Sequence, residues 1–146
     1  MTTVRKSSIV PHSRETMFDL VDAAEDYPQF LPWCSGAAVL ERSETVTRAR
    51  IDIAYHGLKT HVTTRNAKER PHSMILEFVD GPFESLSGAW KFTALGNEGC
   101  RVEFVLDYEL SSGPLHALLT PLFSQIASTM VESFVARADD PHPGKR

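Results

Sequence analysis

Cysteine, catalytic motifs and long apolar runs are scarce in this chain of 146 residues, and each scarcity excludes a class of protein. The two cysteines, Cys34 and Cys100, lack the spacing of a zinc site or a CxxC redox pair, so we expect both to be buried bystanders. No apolar run approaches the ~20 residues that a transmembrane helix needs. The basic N-terminal segment is not followed by an apolar stretch, which is untypical of a signal peptide, and we expect a cytoplasmic protein.

Motifs of the common catalytic and metal sites are absent as well. The chain has no glycine-rich phosphate loop, no GxSxG and no HExxH, and its six histidines never recur at metal-ligand spacing. The acidic pair Asp107 and Glu109 lies on a strand face that the pattern assigns to solvent, which suits it poorly to acid and base catalysis. The sequence therefore predicts a protein that is not an enzyme and holds no metal or cofactor.

Charge is spread unevenly along a chain whose net charge is -4. Residues 41–70 hold seven basic and four acidic side chains, a local charge of +3. If this segment forms adjacent strands, their outer faces would present a basic patch to an anionic partner, although ordinary solvated strand faces explain the same charges. The candidate contacts are Arg42, Arg48, Arg50, Lys59 and Arg65.

From residue 37 to 110 the pattern is that of β-strands broken where Gly and Pro cluster. In residues 47–55 the apolar side chains Ala49, Ile51, Ile53 and Tyr55 alternate with polar ones, as in a half-buried strand. The other predicted strands are residues 3–10, 58–65, 73–79, 86–92 and 100–110. Because short turns join most of them, we expect an antiparallel sheet with one wet face.

Helical patterns precede and follow this β-rich region. Ser13 is a plausible N-cap for a short helix that ends before Pro28. Apolar residues then recur at steps of three and four from Leu115 to Phe134, which predicts a long amphipathic helix. Pro114 suits its first turn, whereas Pro121 is expected to kink the helix or to split off its first turn and a half. We expect one domain over residues 1–140 and a disordered tail at 141–146.

This order of elements predicts an α+β fold in which a curved antiparallel sheet wraps around the C-terminal helix and leaves a cleft. Large rings with polar tips fall on the inward faces, which favours a ligand pocket, although plain core packing explains the same residues. The residues expected to line the pocket are Phe30, Trp33, Tyr55, Leu86, Trp90, Phe92, Phe104, Tyr108, Leu118, Leu122, Phe123, Ile126 and Met130.

Three segments carry a family resemblance. They are Tyr27-Pro-x-Phe-Leu-Pro-Trp-Cys34, then Gly81-Pro-Phe-x-x-Leu-x-Gly-x-Trp-x-Phe92, then the Leu115–Arg137 helix. Together they resemble the ubiquinone-binding START-like family over roughly residues 2–138. The resemblance implies a helix-grip fold, binding of ubiquinone or a similar polyprenyl lipid, and support of respiratory electron transfer.

The same resemblance implies two further activities. A bacterial branch, the ribosome association toxins called RatA, binds the large ribosomal subunit and blocks its association with the small one. Other members were earlier labelled cyclases, which would need a titratable group in the cleft, and the pattern assigns none there firmly. Because the predicted cleft is apolar and the isoelectric point is about 5.8, the sequence alone favours lipid binding. We also expect a monomer that contacts membranes transiently.

Overall fold

The computed structural model describes residues 1–140, so the tail expected at 141–146 lies outside the described residues. Its elements in chain order are β1 (Thr2–Val10), α1 (Arg14–Asp22), a 3₁₀ helix (Ala24–Gln29), β2 (Cys34–Arg42), β3 (Val46–Tyr55), β4 (Leu58–Glu69), β5 (Ser73–Asp80), β6 (Phe83–Leu95), β7 (Gly99–Leu110) and α2 (His116–Asp139). In this part of the chain no helix is long and apolar enough to cross a membrane.

The seven strands form one antiparallel sheet in the order β1-β7-β6-β5-β4-β3-β2. Five of the six pairings join strands that follow one another in the chain, and the sixth closes β1 against β7, with Thr2 opposite Tyr108 and Val10 opposite Cys100. The sheet curves around α2, so the α+β helix-grip fold predicted from the sequence is confirmed.

The first helix begins and ends where local chemistry predicts. The backbone N–H of Thr16 donates to Ser13 Oγ at 3.1 Å, which satisfies one of the free donors of the first turn of α1. A 3₁₀ helix follows and contains Pro28, and the chain leaves it at Phe30. The predicted N-cap is therefore present, and α1 ends before Pro28 as expected.

The start of α2 differs from the prediction at Pro114 and excludes one of the two alternatives for Pro121. The helix begins at His116 with Leu115 as its N-cap residue, so Pro114 precedes the helix instead of lying in its first turn. Pro121 lies inside one continuous helix and does not split it. A proline removes a single backbone hydrogen bond, and the buried neighbours Leu119, Leu122 and Phe123 hold both sides of that gap against the sheet.

Buried apolar side chains form two clusters, and α2 contributes to both. One includes Phe18, Trp90 and Phe134, and the other includes Trp33 and Phe123. At the start of α2, Leu115 and Leu118 are 50% and 59% exposed, whereas Leu119 is buried, so the first turn faces the sheet only in part. The predicted apolar stripe is therefore shorter at its N-terminal end than the sequence indicates.

Candidate functional site

A cavity of about 110 Å³ lies between the inner face of the sheet and α2. Apolar side chains from α1, the strands β3 to β7 and α2 form most of its wall. Seven of the predicted pocket residues line it: Trp33, Leu86, Trp90, Phe104, Phe123, Ile126 and Met130. Both tryptophans therefore reach the same enclosed space although 57 residues separate them in the sequence.

Three of the predicted residues pack in the core and are not part of the wall of this cavity. The ring centroid of Phe30 lies 5.2 Å from that of Phe134 and 4.9 Å from Cζ of the Arg137 guanidinium. Phe92 is 2% exposed and its ring centroid lies 5.7 Å from that of Phe18. Tyr108 packs edge-on against Phe83, and this burial raises the pKa of its hydroxyl.

The other three predicted residues line a separate open groove at the start of α2. Tyr55, Leu118 and Leu122 contribute to it, together with His56, Gly57, Leu58, Leu115, Pro121 and Gln125. The Tyr55 hydroxyl donates to Gln125 Oε1 at 3.4 Å, which joins the end of β3 to α2. Because Leu122 adjoins the cavity residue Phe123 along the helix, the groove and the cavity are neighbouring features.

A polar part of the cavity wall lies on β4 and was not among the predicted pocket residues. Thr64 and Asn66 both line the cavity, opposite Ala49 and Thr47 of β3. The alternation that places Val62 and Thr64 on one face of this strand continues to Asn66, so the signal is present in the sequence. The predicted strand ended at residue 65, whereas pairing with β3 and β5 extends it to Glu69.

A network of charged groups ties α1 to the sheet beside the cavity. Lys68 Nζ lies 3.0 Å from Asp22 Oδ2, and the Thr47 hydroxyl donates to Asp22 Oδ1 at 2.8 Å. Arg42 donates to the Asp22 carbonyl at 2.8 Å and to both carboxylate oxygens of Glu25, and it holds the pKa of Glu25 below its ordinary value. Arg42 thus forms hydrogen bonds and an ion pair within the protein while its side chain stays exposed, and its contact with an anionic partner stays a prediction.

The remaining basic candidates lie on the outer face of β3 and β4, as the alternation predicts. Arg48 is paired in register with Arg65, and Arg50 and Lys59 are exposed on the same two strands. Two of these cations form ion pairs: Arg50 Nε lies 2.8 Å from Asp52 Oδ1, and Arg65 Nη1 lies 2.9 Å from Glu77 Oε1. Within residues 1–140, Arg48 and Lys59 have no ion-pair partner, so they are the least neutralised charges of this face.

Titratable chemistry at the cavity is limited to one side chain in the described part of the chain. Tyr27 lines the cavity, and its hydroxyl donates to the Val21 carbonyl. Desolvation by the surrounding apolar groups, helped by the charge of Asp22, raises the pKa of Tyr27. The structure brings His12 next to Asp139 and His61 next to Asp80, both away from the cavity. Residues 1–140 contain no cluster of three or more side chains suited to a metal ion.

Comparison with known proteins places the chain in a family. A family model described as polyketide cyclase/dehydrase and lipid transport matches residues 10–135. The chain belongs to this family. Ribosome association toxin RatA from Escherichia coli (strain K12) is 38% identical over 140 residues, which cover 96% of this chain and 89% of RatA. The family predicted from the sequence is confirmed.

A more distant relative and a solved structure of the same fold have other names. Coenzyme Q-binding protein COQ10 homolog B of Xenopus laevis is 26% identical over 91% of this chain and 56% of its own length. The crystal structure of Zhui aromatase/cyclase from Streptomyces sp. R1128 has the same fold, with a TM-score of 0.81, 13% identity and coverage of 94% and 93% of the two chains. Since these names include a toxin, a binding protein and a cyclase, the absence of catalysis in this chain stays a prediction.

Proposed function

We propose that this chain acts on the ribosome, where it binds the large subunit and hinders its association with the small subunit. The support is the 38% identity to RatA of Escherichia coli, which extends over almost the full length of both chains. The sequence alone favoured lipid binding and gave this activity as the alternative. The similarity to RatA reverses that order.

The outer face of β3 and β4 is the surface we assign to the ribosome. Ribosomal RNA presents closely spaced phosphates, which Lys and Arg side chains contact. Arg48 and Lys59 are exposed on this face, without ion pairs inside the described chain. The partly neutralised Arg65 lies opposite Arg48, and Arg50 lies between Arg48 and Lys59 along the strand pair. In a protein of net charge -4, a local patch of this kind confines RNA contact to one side of the sheet.

Subunit joining followed by sedimentation tests this proposal. Wild-type protein is added to separated ribosomal subunits, and we expect fewer joined ribosomes in the profile. The double variant Arg48→Glu with Lys59→Glu should inhibit at least about tenfold less, since each reversed charge replaces a phosphate contact by repulsion. The matched control reverses the exposed Arg5 and Arg101 on the outer face of β1 and β7 and should inhibit like wild type.

Two results would count against the proposal in different ways. A wild-type protein that leaves joining unchanged at concentrations well above those of the subunits would contradict the function itself. Equal inhibition by the two double variants would leave the function standing and remove the assignment of the β3–β4 face.

The cavity supports a second candidate function, the binding of an apolar ligand related to ubiquinone. A relative named as a coenzyme Q-binding protein aligns with 91% of this chain. The cavity volume of about 110 Å³ is of the same order as the ~150 Å³ of an engineered protein cavity that binds benzene, so it suits one ring. A prenyl chain would extend out of the cavity into the groove at Tyr55, Leu58 and Leu122.

Mass spectrometry of an organic extract of the protein, purified from its native host, tests this candidate. We expect a prenyl quinone at close to one molecule per chain. Met130→Glu should abolish its retention because the carboxylate would enter the cavity wall, whereas Ser124→Glu, exposed on the same helix, should retain it. An empty wild-type protein would contradict ligand carriage.

A further inference from the structure

The cavity wall contains an amide oxygen that is buried without a hydrogen-bond partner. Asn66 lies in the middle of the sheet, opposite Thr47 of β3 and Leu76 of β5, and its side chain lines the cavity. Its Oδ1 exposes less than 1 Å² and accepts no hydrogen bond from residues 1–140. Folded proteins rarely leave a buried polar oxygen unpaired, so this one requires an explanation.

The polar neighbours of Asn66 direct their hydrogen bonds to Asp22. The hydroxyl of Thr47, directly across the strand pair, donates to Asp22 Oδ1 at 2.8 Å. The ammonium of Lys68, two residues along β4 on the same face, lies 3.0 Å from Asp22 Oδ2. In residues 1–140 both groups donate to Asp22 and neither donates to Asn66, so its amide oxygen can accept a hydrogen bond from a molecule inside the cavity.

The other side chains of the cavity wall indicate the chemical class of the ligand that carries this hydrogen-bond donor. Trp90 and Phe104 present aromatic rings, Met74 and Leu76 present apolar chains, and Thr64 adds one hydroxyl close to Asn66 along β4. An apolar pocket with one or two polar groups orients a ligand that is mostly apolar and carries a polar substituent at one point. The volume of about 110 Å³ limits that ligand, within the cavity, to about one six-membered ring.

We propose that the cavity binds an aromatic ring bearing a hydroxyl group, a phenol or a quinol, whose O–H donates a hydrogen bond to Asn66 Oδ1. This inference rests on the second candidate function, the binding of an apolar ligand in the cavity. It goes beyond that function by naming the polar contact and the form of the ring. A quinone carbonyl has no proton to donate, so the reduced ring binds more tightly than the oxidised one.

Calorimetric titration with two small probes of nearly equal shape tests the proposal. The probes are p-cresol and p-xylene, which differ in one hydroxyl that replaces a methyl group. Asn66→Leu should weaken the binding of p-cresol about tenfold, the effect of leaving one hydroxyl unpaired in an apolar site, and should leave the binding of p-xylene unchanged. Thr64→Val, on the same wall, is the matched control and should affect both probes by less than about twofold.

The outcomes separate the proposal from the function on which it rests. If Asn66→Leu weakens both probes alike, the polar contact is wrong and ligand binding in the cavity stands. If Thr64→Val produces the selective loss instead, the contact belongs to Thr64 and the proposal is wrong. If neither probe binds the wild-type protein, ligand binding in the cavity fails together with the proposal. A thermal midpoint of Asn66→Leu at or above that of wild type shows that the variant is folded.

Discussion

Lys68 holds a positive charge inside the protein, since its side chain is 5% exposed and its ammonium contacts Asp22 Oδ2. We expect Asp22→Leu to lower the free energy of unfolding by about 3–5 kcal/mol, because it leaves that ammonium buried without a counter-charge. Urea unfolding followed by circular dichroism measures the loss. The double variant Asp22→Leu with Lys68→Met should recover most of it, because both charges are then removed together. A double variant as unstable as the single one would contradict this account.

Single residues show where sequence reasoning succeeds and where it stops. Cys34 and Cys100 are both buried, as their spacing predicts, and this burial raises the pKa of each thiol. Phe30 and Trp33 belong to one motif, yet only Trp33 lines the cavity, because the end of the 3₁₀ helix places Phe30 against Phe134. Local pattern predicts that such rings are buried. Which neighbour each ring meets depends on α2, more than 80 residues away in the sequence.

At the scale of the element, Pro121 is the unusual feature of α2. Its nitrogen has no proton to give to the carbonyl of Ala117, one turn earlier, so the helix lacks one backbone hydrogen bond there. We expect Pro121→Ala to raise the free energy of unfolding by roughly 1–3 kcal/mol, the restored bond being partly offset by the greater freedom of the unfolded chain. Hydrogen exchange of the amides of residues 118–124 should slow at the same time.

Ala117→Gly is the matched control for that experiment. It changes the same turn without restoring the missing bond, and it should lower the free energy of unfolding by about 0.5–1 kcal/mol. If Pro121→Ala leaves both stability and exchange unchanged, the packing of Leu119, Leu122 and Phe123 already compensates fully for the missing bond.

The sequence predicted which segments form helices and strands more accurately than it predicted where each of them ends. The alternation in residues 47–55 matches β3, which spans Val46–Tyr55, because local pattern and tertiary pairing agree there. β4 instead continues through Asn66 and Lys68 to Glu69, polar residues that a local pattern assigns to a loop. Their place in the sheet depends on hydrogen bonds to β3 and β5 and on the ion pair of Lys68 with Asp22, none of which a strand pattern contains.

On the scale of the whole molecule, two core clusters share the sheet and one helix. Tyr27, Phe30, Leu106 and Met130 contact both clusters, and α2 runs from one cluster to the other. The hairpins that build most of the sheet could be predicted from turns in the sequence. The pairing of β1 with β7 could not, since it joins segments separated by about 90 residues and depends on the fold as a whole.

Because the clusters share these contacts, we expect residues 1–140 to unfold as one cooperative unit, and the two tryptophans allow each cluster to be observed separately. Trp33 belongs to the cluster that contains Phe123, and Trp90 belongs to the cluster that contains Phe134. In Trp33→Phe the fluorescence reports only on Trp90, and in Trp90→Phe it reports only on Trp33. Within each variant the urea midpoint from fluorescence should equal that from circular dichroism, which is the signature of two-state unfolding.

Met130→Ala provides the complementary measurement, because Met130 packs against both clusters. Introduced into each single-tryptophan background, it should lower the fluorescence midpoint to the same extent in both, by the equivalent of about 2–5 kcal/mol. A fall seen by Trp90 alone or by Trp33 alone would mean that the two ends of α2 open independently. The cavity, which residues of both clusters line, would then lie at a boundary between two folding units, and a ligand bound there would couple their unfolding.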